Sequence, residues 1–446
     1  MNHLTSMQRK LVYLVGMLLM GAVILWLGAP GRDLDDQAGA EGVLSGLRRE
    51  YRLGDATFGN VDPASSTMTL VLLGFRGIAA DVLWMQSDEL KKKKNWSELE
   101  RSVESIVLLQ PHFRAVWQFQ SWNLAFNVSA EFDDVKDRFF WVKRGAKFLE
   151  RGIKQNQDIP ELYHDMGNFV GRKIARSDEQ ELFRKYFIHD PDERFDKDGK
   201  PDRDDDPSDD WEDNGADPEI NPEGLENYLV AYDWFVRAND CLYNRAYGVQ
   251  RLMATEIFVG FPYKALMDYA RTRAKDGQFD EITRAAWVKA YKGWTEEYGT
   301  KLFSSPRGDV TMEGGIRELT EIMDRENAEL RKLGVDKENL YTIDDKIAWQ
   351  QRRQEMVNYR FWKKHCEVEQ QPEMIAVRKG LYDGRIAMQV DQDPATAQKL
   401  MYPAMIAFDR LLDENHLVDT GEGVDYIEDA IEAVIFYRQT CAGLQL

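Results

Sequence analysis

The sequence predicts an all-α protein, in which an N-terminal transmembrane helix precedes a body of tetratricopeptide-like helical hairpins. Three observations lead to this prediction. One long apolar run lies near the N-terminus, and apolar residues elsewhere recur with a period of about 3.6 residues. Short alternating runs of β-branched residues, typical of strands, are almost absent. Of the 446 residues, 43% are hydrophobic, which is enough to form a sizeable core.

The apolar run covers Leu11 to Ala29, 19 residues without a charge. A helix of that length spans about 28 Å, close to the ~30 Å hydrocarbon core of a bilayer. Arg9 and Lys10 precede the run and acidic residues follow it, so the positive-inside rule predicts a cytoplasmic tail over 1–10. We therefore expect a single-pass protein of a bacterial inner membrane with a periplasmic body.

A cleaved signal peptide is the alternative for this segment. Its apolar region would have about 7–15 residues and a small-residue cleavage site close behind. Here the nearest such site, Ala38-Gly39-Ala40, lies well downstream. Both alternatives predict that the body is exported. The segment 30–62 is rich in Gly and charged residues and is predicted to be a linker.

Helical periodicity defines a first region over 63–188. Two apolar faces are predicted to point inward: Ile78, Val82, Met85 and Leu90 form one, and Leu99, Val103, Ile106 and Leu109 form the other. A long helix is predicted over 133–155. Trp117 and Tyr163 open two similar helices 46 residues apart, somewhat more than the ~34 residues of a tetratricopeptide repeat. The pattern favours degenerate tetratricopeptide-like hairpins, and a plain helical bundle is the alternative.

Periodicity resumes in a second region, 225–303, where Gly277 is predicted to join two helices into a hairpin. A C-terminal helical region over 304–446 begins with a loop around 304–308. Its helices are predicted at about 315–333, 344–369, 372–390, 395–413 and 424–440. Pro372 and Pro394 suit first-turn positions.

Between these regions, 189–224 is predicted to be a disordered acidic insert. Asp190 to Gly224 holds 16 Asp+Glu, 4 Lys+Arg and five prolines, so it carries most of the net charge of −19. Carboxylates around Gly199 follow the order of a calcium loop. The candidate calcium ligands are Asp196, Asp198, Asp202 and Asp204. A plain acidic tract is the alternative.

Several stretches resemble a known family. They are Leu73 to Trp84 (LGFRGIAADVLW), Gln110 to Phe113 (QPHF), and Trp122 to Asn127 (WNLAFN). They are similar to membrane-anchored, tetratricopeptide-like proteins of planctomycete-type bacteria, some of which carry the label "iron responsive element" protein. The resemblance runs from about residue 63 to 300 and implies an anchored helical-repeat protein without an established activity. The sequence has no iron-ligand cluster, and its acidic insert departs from the family's pattern.

Familiar catalytic motifs are absent from the sequence. It has neither a P-loop nor a dinucleotide-binding glycine motif, and neither the G-x-S-x-G nor the H-E-x-x-H signature. Cys241, Cys366 and Cys441 lie too far apart for a disulfide framework or a tetrathiolate zinc site. The excess of acid argues against nucleic acid as the main partner. We expect no cofactor apart from calcium at the insert.

These observations favour a non-enzymatic scaffold that binds a partner protein of the cell envelope. Arg76, Trp84, Trp117 and Trp122 are the candidate residues of its binding groove, since repeat hairpins offer concave surfaces to peptides. Alternatively, Arg76 is paired inside the fold and the tryptophans belong to the core. An all-α cell-envelope hydrolase that acts on polysaccharide through paired carboxylates is the rival hypothesis.

Overall fold

The computed structural model describes residues 15–17, 19–20, 76–196, 214–244 and 254–443. Within these ranges nearly all regular structure is helical, which confirms the predicted all-α class. A single two-stranded antiparallel sheet occurs in the described chain, and it pairs β1 (Phe303–Ser305) with β2 (Gly308–Val310).

The α-helices are α1 (Arg76–Lys92), α2 (Trp96–Leu109), α3 (Arg114–Trp122), α4 (Val135–Gln155), α5 (Pro160–Asn168), α6 (Gln180–Ile188), α7 (Asn227–Asn244), α8 (Thr255–Lys275), α9 (Glu281–Lys292), α10 (Ile316–Lys332), α11 (Ile343–Val357), α12 (Tyr359–Glu369), α13 (Pro372–Gln389), α14 (Pro394–Glu414) and α15 (Val424–Gly443). Three π-helical segments continue α3, α5 and α9 directly: π1 (Asn123–Val128), π2 (Phe169–Ile174) and π3 (Gly293–Tyr298). Short 3₁₀ turns lie at Ser129–Glu131, Glu193–Phe195, Lys337–Asn339 and Gly421–Gly423.

The predicted transmembrane helix, Leu11–Ala29, lies almost entirely outside the described residues, and the predicted linker over 30–62 lies wholly outside them. Among the residues that the structure describes, no helix combines the length and the apolar character that a membrane span requires.

The chain folds into two compact units. The first unit comprises 1–120, 151–159 and 244–248. In it α1 packs against α2, and the predicted face of α2 is buried through Leu99, Val103 and Ile106. Asn95 caps α2, since its side chain accepts a hydrogen bond from the amide of Glu98 at 3.4 Å.

The predicted inward face of α1 is wrong. Ile78, Val82 and Met85 are 60%, 49% and 70% exposed, respectively. The buried side of α1 instead carries Ala80 and Ser87, whose small side chains let α2 approach closely. Periodicity marks an apolar stripe on a helix, but it does not reveal whether the stripe meets a neighbour.

The second unit comprises 121–150, 160–243 and 249–446. One of its cores is built on aromatic rings, with Trp294 stacked on Tyr298 at 4.5 Å and on Tyr359 at 5.4 Å between ring centroids. A second core joins α13, α14 and α15 through residues such as Met401 and Phe408.

The C-terminal helices follow the sequence prediction with one exception. The predicted helix over 344–369 is two helices, because Asn358 adopts a left-handed backbone with φ of 54° and ends α11. Pro372 and Pro394 occupy first-turn positions, as predicted. Gly277 lies between α8 and α9 with φ of +76°, which also agrees with its predicted place in a hairpin.

The two ends of the acidic segment are folded, which differs from the prediction of a wholly disordered insert. Lys143 donates to Asp190 at 2.6 Å and lies 3.6 Å from Asp217, and these three side chains are at most 5% exposed. The amide of Asp190 donates to the Gly215 carbonyl at 3.0 Å, and Asn214 Nδ2 donates to the Asp190 carbonyl at 2.8 Å. Buried lysine therefore neutralises acids that composition alone places in solvent.

Candidate functional site

A cavity of 390 Å³ in the second unit is the candidate functional site. Helices α5, α7 and α8 and the segment π2 surround it, and α12 contributes Trp362. Gly167 and Gly171 allow α7 to approach, because a Cβ at Gly167 would lie 2.6 Å from the Phe235 ring and one at Gly171 would lie 3.3 Å from Ala231. Asn227 Nδ2 further ties α7 to π2 by donating to the Val170 carbonyl at 3.3 Å.

Positive charge dominates the polar lining of this cavity. Its charged residues are Arg172, Arg176, Lys264, Arg271 and Asp268. Arg176 Nη2 donates to Asp268 Oδ2 at 2.5 Å. In the part of the chain that the structure describes, Arg172, Lys264 and Arg271 have no ion pair with a carboxylate. Three cations therefore lie at one cavity without an ion pair of their own in the described structure, and Asp268, which Arg176 holds, is the acidic residue of the lining.

Aromatic faces take the place of carboxylates beside these cations. Lys264 Nζ lies 5.9 Å from the ring centroid of Trp362, and the Arg271 guanidinium lies 5.9 Å from the same ring. The Arg172 guanidinium lies 6.0 Å from the centroid of Phe261. Cation–π contacts hold the charged groups in place and leave their N–H donors available to an anion.

Burial perturbs the ionisable groups of the cavity. It lowers the pKa of Lys264, while the nearby Asp268 carboxylate opposes this change. It raises the pKa of Asp268, and the positive charge of Arg176 limits that rise. An entering carboxylate would be attracted by the three unpaired cations and would stabilise the charged form of Lys264.

The wall of the cavity also includes Asn168. Its Nδ2 lies 2.9 Å from Nδ1 of the buried His164, and its Oδ1 is buried without a hydrogen-bond partner in the described structure. The imidazole packs among three phenylalanines and is stacked on Phe258 with 4.6 Å between centroids. This apolar packing lowers the pKa of His164 to about 4, with a smaller contribution from Arg172.

Two other cavities of 590 Å³ each contain an arginine that is paired with acidic side chains. In one, Arg184 holds Asp276 with contacts of 2.6 and 3.3 Å. In the other, Arg378 donates to Glu369 at 2.7 Å and to Asp429 at 2.6 Å. Burial opposes ionisation of Glu369, but Arg378 holds its pKa below the ordinary value. Because these arginines already have acidic partners, the smaller cavity is the better candidate for binding an anion.

The predicted groove residues have different positions in the structure. Trp84 is half-buried and packs on Phe113 and Phe119, with 5.7 and 5.0 Å between centroids. Trp117 is 2% exposed, and its indole N–H donates to the Pro111 carbonyl at 2.9 Å, so it belongs to the core of the first unit. Arg76 begins α1, and its side chain lies outside the described residues, whereas the ring of Trp122 is exposed.

Most of the predicted calcium site is also outside the described structure. Asp198, Asp202 and Asp204 belong to the undescribed range 197–213, and only Asp196 is described. Among the described residues, no group of three or more His, Cys, Asp or Glu is arranged to hold a metal ion.

The cavity cations did not enter the sequence prediction. Lys264, Asp268 and Arg271 recur every three or four residues along α8, opposite a face of apolar residues. Such a charged stripe is typical of a solvated helix face, and only the fold shows that Lys264 and Asp268 are half-buried at a cavity that Arg271 also lines. No family model matches the chain, and neither a curated protein nor a solved structure matches it.

Proposed function

We propose that the chain is a membrane-anchored scaffold whose exported, tetratricopeptide-like body binds an acidic segment of a partner protein of the cell envelope. The observation that carries this proposal is the set of three cations, Arg172, Lys264 and Arg271, without carboxylate partners at one aromatic-lined cavity in the described structure. Carboxylates of a partner would complete charge-assisted hydrogen bonds with these groups. The apolar run at Leu11–Ala29 supports the anchor, and the residues after it support export.

The size of the cavity is consistent with this function. A volume of 390 Å³ is at the lower end of the range for small-molecule sites and accommodates one or two side chains of a peptide. The acid that lines it, Asp268, is engaged with Arg176, so this cavity offers charge recognition in preference to paired-carboxylate hydrolysis. The hypothesis of an all-α hydrolase that acts through paired carboxylates stays a prediction.

The proposal can be tested by photo-crosslinking the full chain in its native membrane. Benzoylphenylalanine in place of Asn168 lies at the cavity wall, and the same group in place of Arg317, an exposed residue of α10, is the matched control. We expect position 168 to give an adduct that maps to an acidic segment of one protein, and position 317 to give none.

The adduct should depend on charge. A Lys264→Gln/Arg271→Gln variant should reduce it about tenfold or more, because each lost charge-assisted hydrogen bond is worth roughly 1.5–3 kcal/mol. Arg317→Gln is the control for loss of an exposed cation. Equal adducts at both positions, or an adduct that ignores the charge changes, would contradict the proposal.

A further inference from the structure

The outward face of α15, the last helix of the described chain, is apolar. Val424, Ile431 and Ile435 are 48%, 55% and 52% exposed, and Val434 beside them is 38% exposed. With the partly buried Ile427 they recur at intervals of three or four residues along the helix and form the α15 stripe. This spacing is typical of a seam between two packed helices, yet the described structure leaves the stripe uncovered.

The opposite side of α15 is already packed. Tyr426 and Ala433 are 0% and 1% exposed and belong to the core that joins α13, α14 and α15. Ala433 is two residues from both Ile431 and Ile435, and two residues turn a helix by about 200°, so the stripe faces away from this core. The outer helix of a helical array normally has a polar outer face, so an apolar one indicates a further neighbour.

Exposed apolar side chains also lie on α14, the helix that packs against α15. Tyr402 and Ile406 are one helical turn apart on α14 and are 56% and 50% exposed. The ring of Tyr402 lies 6.1 Å from that of Tyr437 on α15, measured between centroids. Apolar residues exposed on two neighbouring helices are typical of a protein–protein interface, whereas singly exposed apolar residues are common on monomers.

Two charged residues flank the centre of the α15 stripe. Glu428 and Arg438 are exposed, and neither has an ion pair in the part of the chain that the structure describes. Glu428 precedes Ile435 by seven residues and Arg438 follows Ile431 by seven, so both lie on the same side of the helix as the stripe. The stripe therefore has an acid on one side of its centre and a base on the other.

This pattern is complementary to itself when the helix is reversed. Ile431 and Ile435 each lie two residues from Ala433, and Glu428 and Arg438 each lie five residues from it. A second α15, antiparallel and related by a twofold axis at the level of Ala433, would place each Glu428 opposite an Arg438. The same axis would place Ile431 opposite Ile435. A parallel pair in register would instead bring like charges together.

We infer that this surface is a dimer interface, in which α15 pairs in antiparallel orientation with α15 of a second copy of the chain. The aliphatic side chains of the stripe form the centre of the interface, and two Glu428–Arg438 pairs form its edges. Tyr402 and Ile406 of α14 extend the contact. None of these residues lines the cavity of 390 Å³, so the dimer does not depend on the proposed function.

Sedimentation equilibrium of the full chain, in a detergent matched to the density of the solvent, measures the association. We expect wild type to show a concentration-dependent equilibrium between one copy and two. Ile431→Asp should raise the dissociation constant of the dimer about tenfold or more, because it places two carboxylates in the apolar centre. Leu333→Asp is the matched control and should behave like wild type, since Leu333 is an apolar residue that is 79% exposed and lies outside the interface.

Charge reversal tests the antiparallel orientation. Glu428→Arg or Arg438→Glu alone should weaken the dimer about fivefold, because each replaces two attractive pairs by two repulsive ones. The doubly exchanged Glu428→Arg/Arg438→Glu protein should recover most of the wild-type affinity. A mixture of the two single variants should also associate, because each arginine then meets a glutamate of the other chain. High salt should reduce all of these differences.

The possible outcomes are distinct. A chain that stays a single copy at every concentration, or a dimer that Ile431→Asp does not weaken, overturns the proposal. If wild type is a single copy and Ile431→Asp lowers its stability in urea, a segment of the same chain covers the stripe instead. A dimer that needs Ile431 but ignores both charge reversals overturns the antiparallel pairing. Circular dichroism of each variant shows whether the helical fold is retained.

Discussion

His164 is stacked on Phe258 in the second unit, with ring centroids 4.6 Å apart and ring planes 21° from parallel. Its Nε2 has no hydrogen-bond partner within the described structure, and the imidazole is enclosed by the rings of Phe235 and Phe261. A protonated imidazole there would be a charge among aromatic side chains. The fold therefore retains His164 in its neutral form at neutral pH.

This packing predicts a loss of stability in mild acid. The pKa of His164 is lowered from 6.5 to about 4 in the folded protein, so between these values the unfolded chain binds the extra proton. The free energy of unfolding should therefore fall as the pH decreases from about 6.5 to 4, by roughly 2–3 kcal/mol. Urea denaturation at pH 7.5 and 4.5 measures it. For His164→Gln the fall in the free energy of unfolding should be smaller than for wild type by that amount. The control His416→Gln, at an exposed histidine, should behave like wild type. An equal fall in all three proteins would contradict the prediction.

Replacement of the buried Lys143 should destabilise the second unit strongly. Lys143→Met leaves the Asp190 carboxylate buried without its cation, which costs about 3–5 kcal/mol of unfolding free energy. Lys147→Met is the matched control, because Lys147 is partly exposed and its partner Asp217 also has Lys143 nearby. This substitution should lower the free energy of unfolding by about 1 kcal/mol or less. Adding Asp190→Asn to Lys143→Met should recover part of the loss. Similar midpoints for the two lysine variants would refute this account.

Gly167 sets the distance between α5 and α7 beside the cavity. In Gly167→Ala the new methyl would lie 2.6 Å from the buried Phe235 ring, so we expect the free energy of unfolding to fall by about 1–3 kcal/mol. Gly171→Ala brings its methyl only to 3.3 Å from Ala231 and should cost less than about 1 kcal/mol. Thermal denaturation of the two variants measures the difference. A Gly167→Ala protein as stable as the Gly171→Ala protein would show that α5 and α7 separate easily.

Asn358 divides α11 from α12 through its backbone. Its φ of 54° is unfavourable for residues with a Cβ, and its side chain makes no capping hydrogen bond. Asn358→Ala should therefore lower the free energy of unfolding by about 1 kcal/mol, while Asn358→Gly should leave it unchanged or raise it slightly. Urea denaturation of the two variants gives the comparison. A destabilised Asn358→Gly protein would mean that the side chain contributes a contact of its own.

The sequence was sufficient to predict where the helices lie along the chain. It was not sufficient to predict which faces of those helices pack together. Proline and glycine at 277, 372 and 394 mark helix joins through local backbone chemistry, and each was predicted correctly. The exposed stripe at Ile78 on α1 was predicted wrongly, because a periodic apolar face carries no information about its partner. For the same reason the sequence pattern of Lys264 and Arg271 is that of solvated charges, although both line the cavity. The burial of Trp117 could not be predicted either, because it depends on how the first unit packs.

Local sequence also could not anticipate the left-handed Asn358, since asparagine adopts helical as well as left-handed backbone conformations. Trp122 is the predicted groove residue whose ring lies exposed next to the candidate site. The 46-residue spacing between Trp117 and Tyr163 recurs in the structure, where α5 and π2 begin 46 residues after α3 and π1 and have the same lengths.

The hydrogen bonds at 190 and 214–215 have a consequence for engineering. The described residues on either side of 197–213 are bonded to each other, since the Gly215 amide donates to the Phe195 carbonyl at 3.0 Å and the Asp190 amide donates to the Gly215 carbonyl at 3.0 Å. The residues on the two sides of 197–213 are thus held close together. Lengthening the connection between them costs only about 0.6 kcal/mol for each doubling of its length. A fluorescent protein or an affinity module whose own termini are close together can accordingly be inserted between 197 and 213, which provides a reporter position that leaves the helical body and both chain ends unaltered.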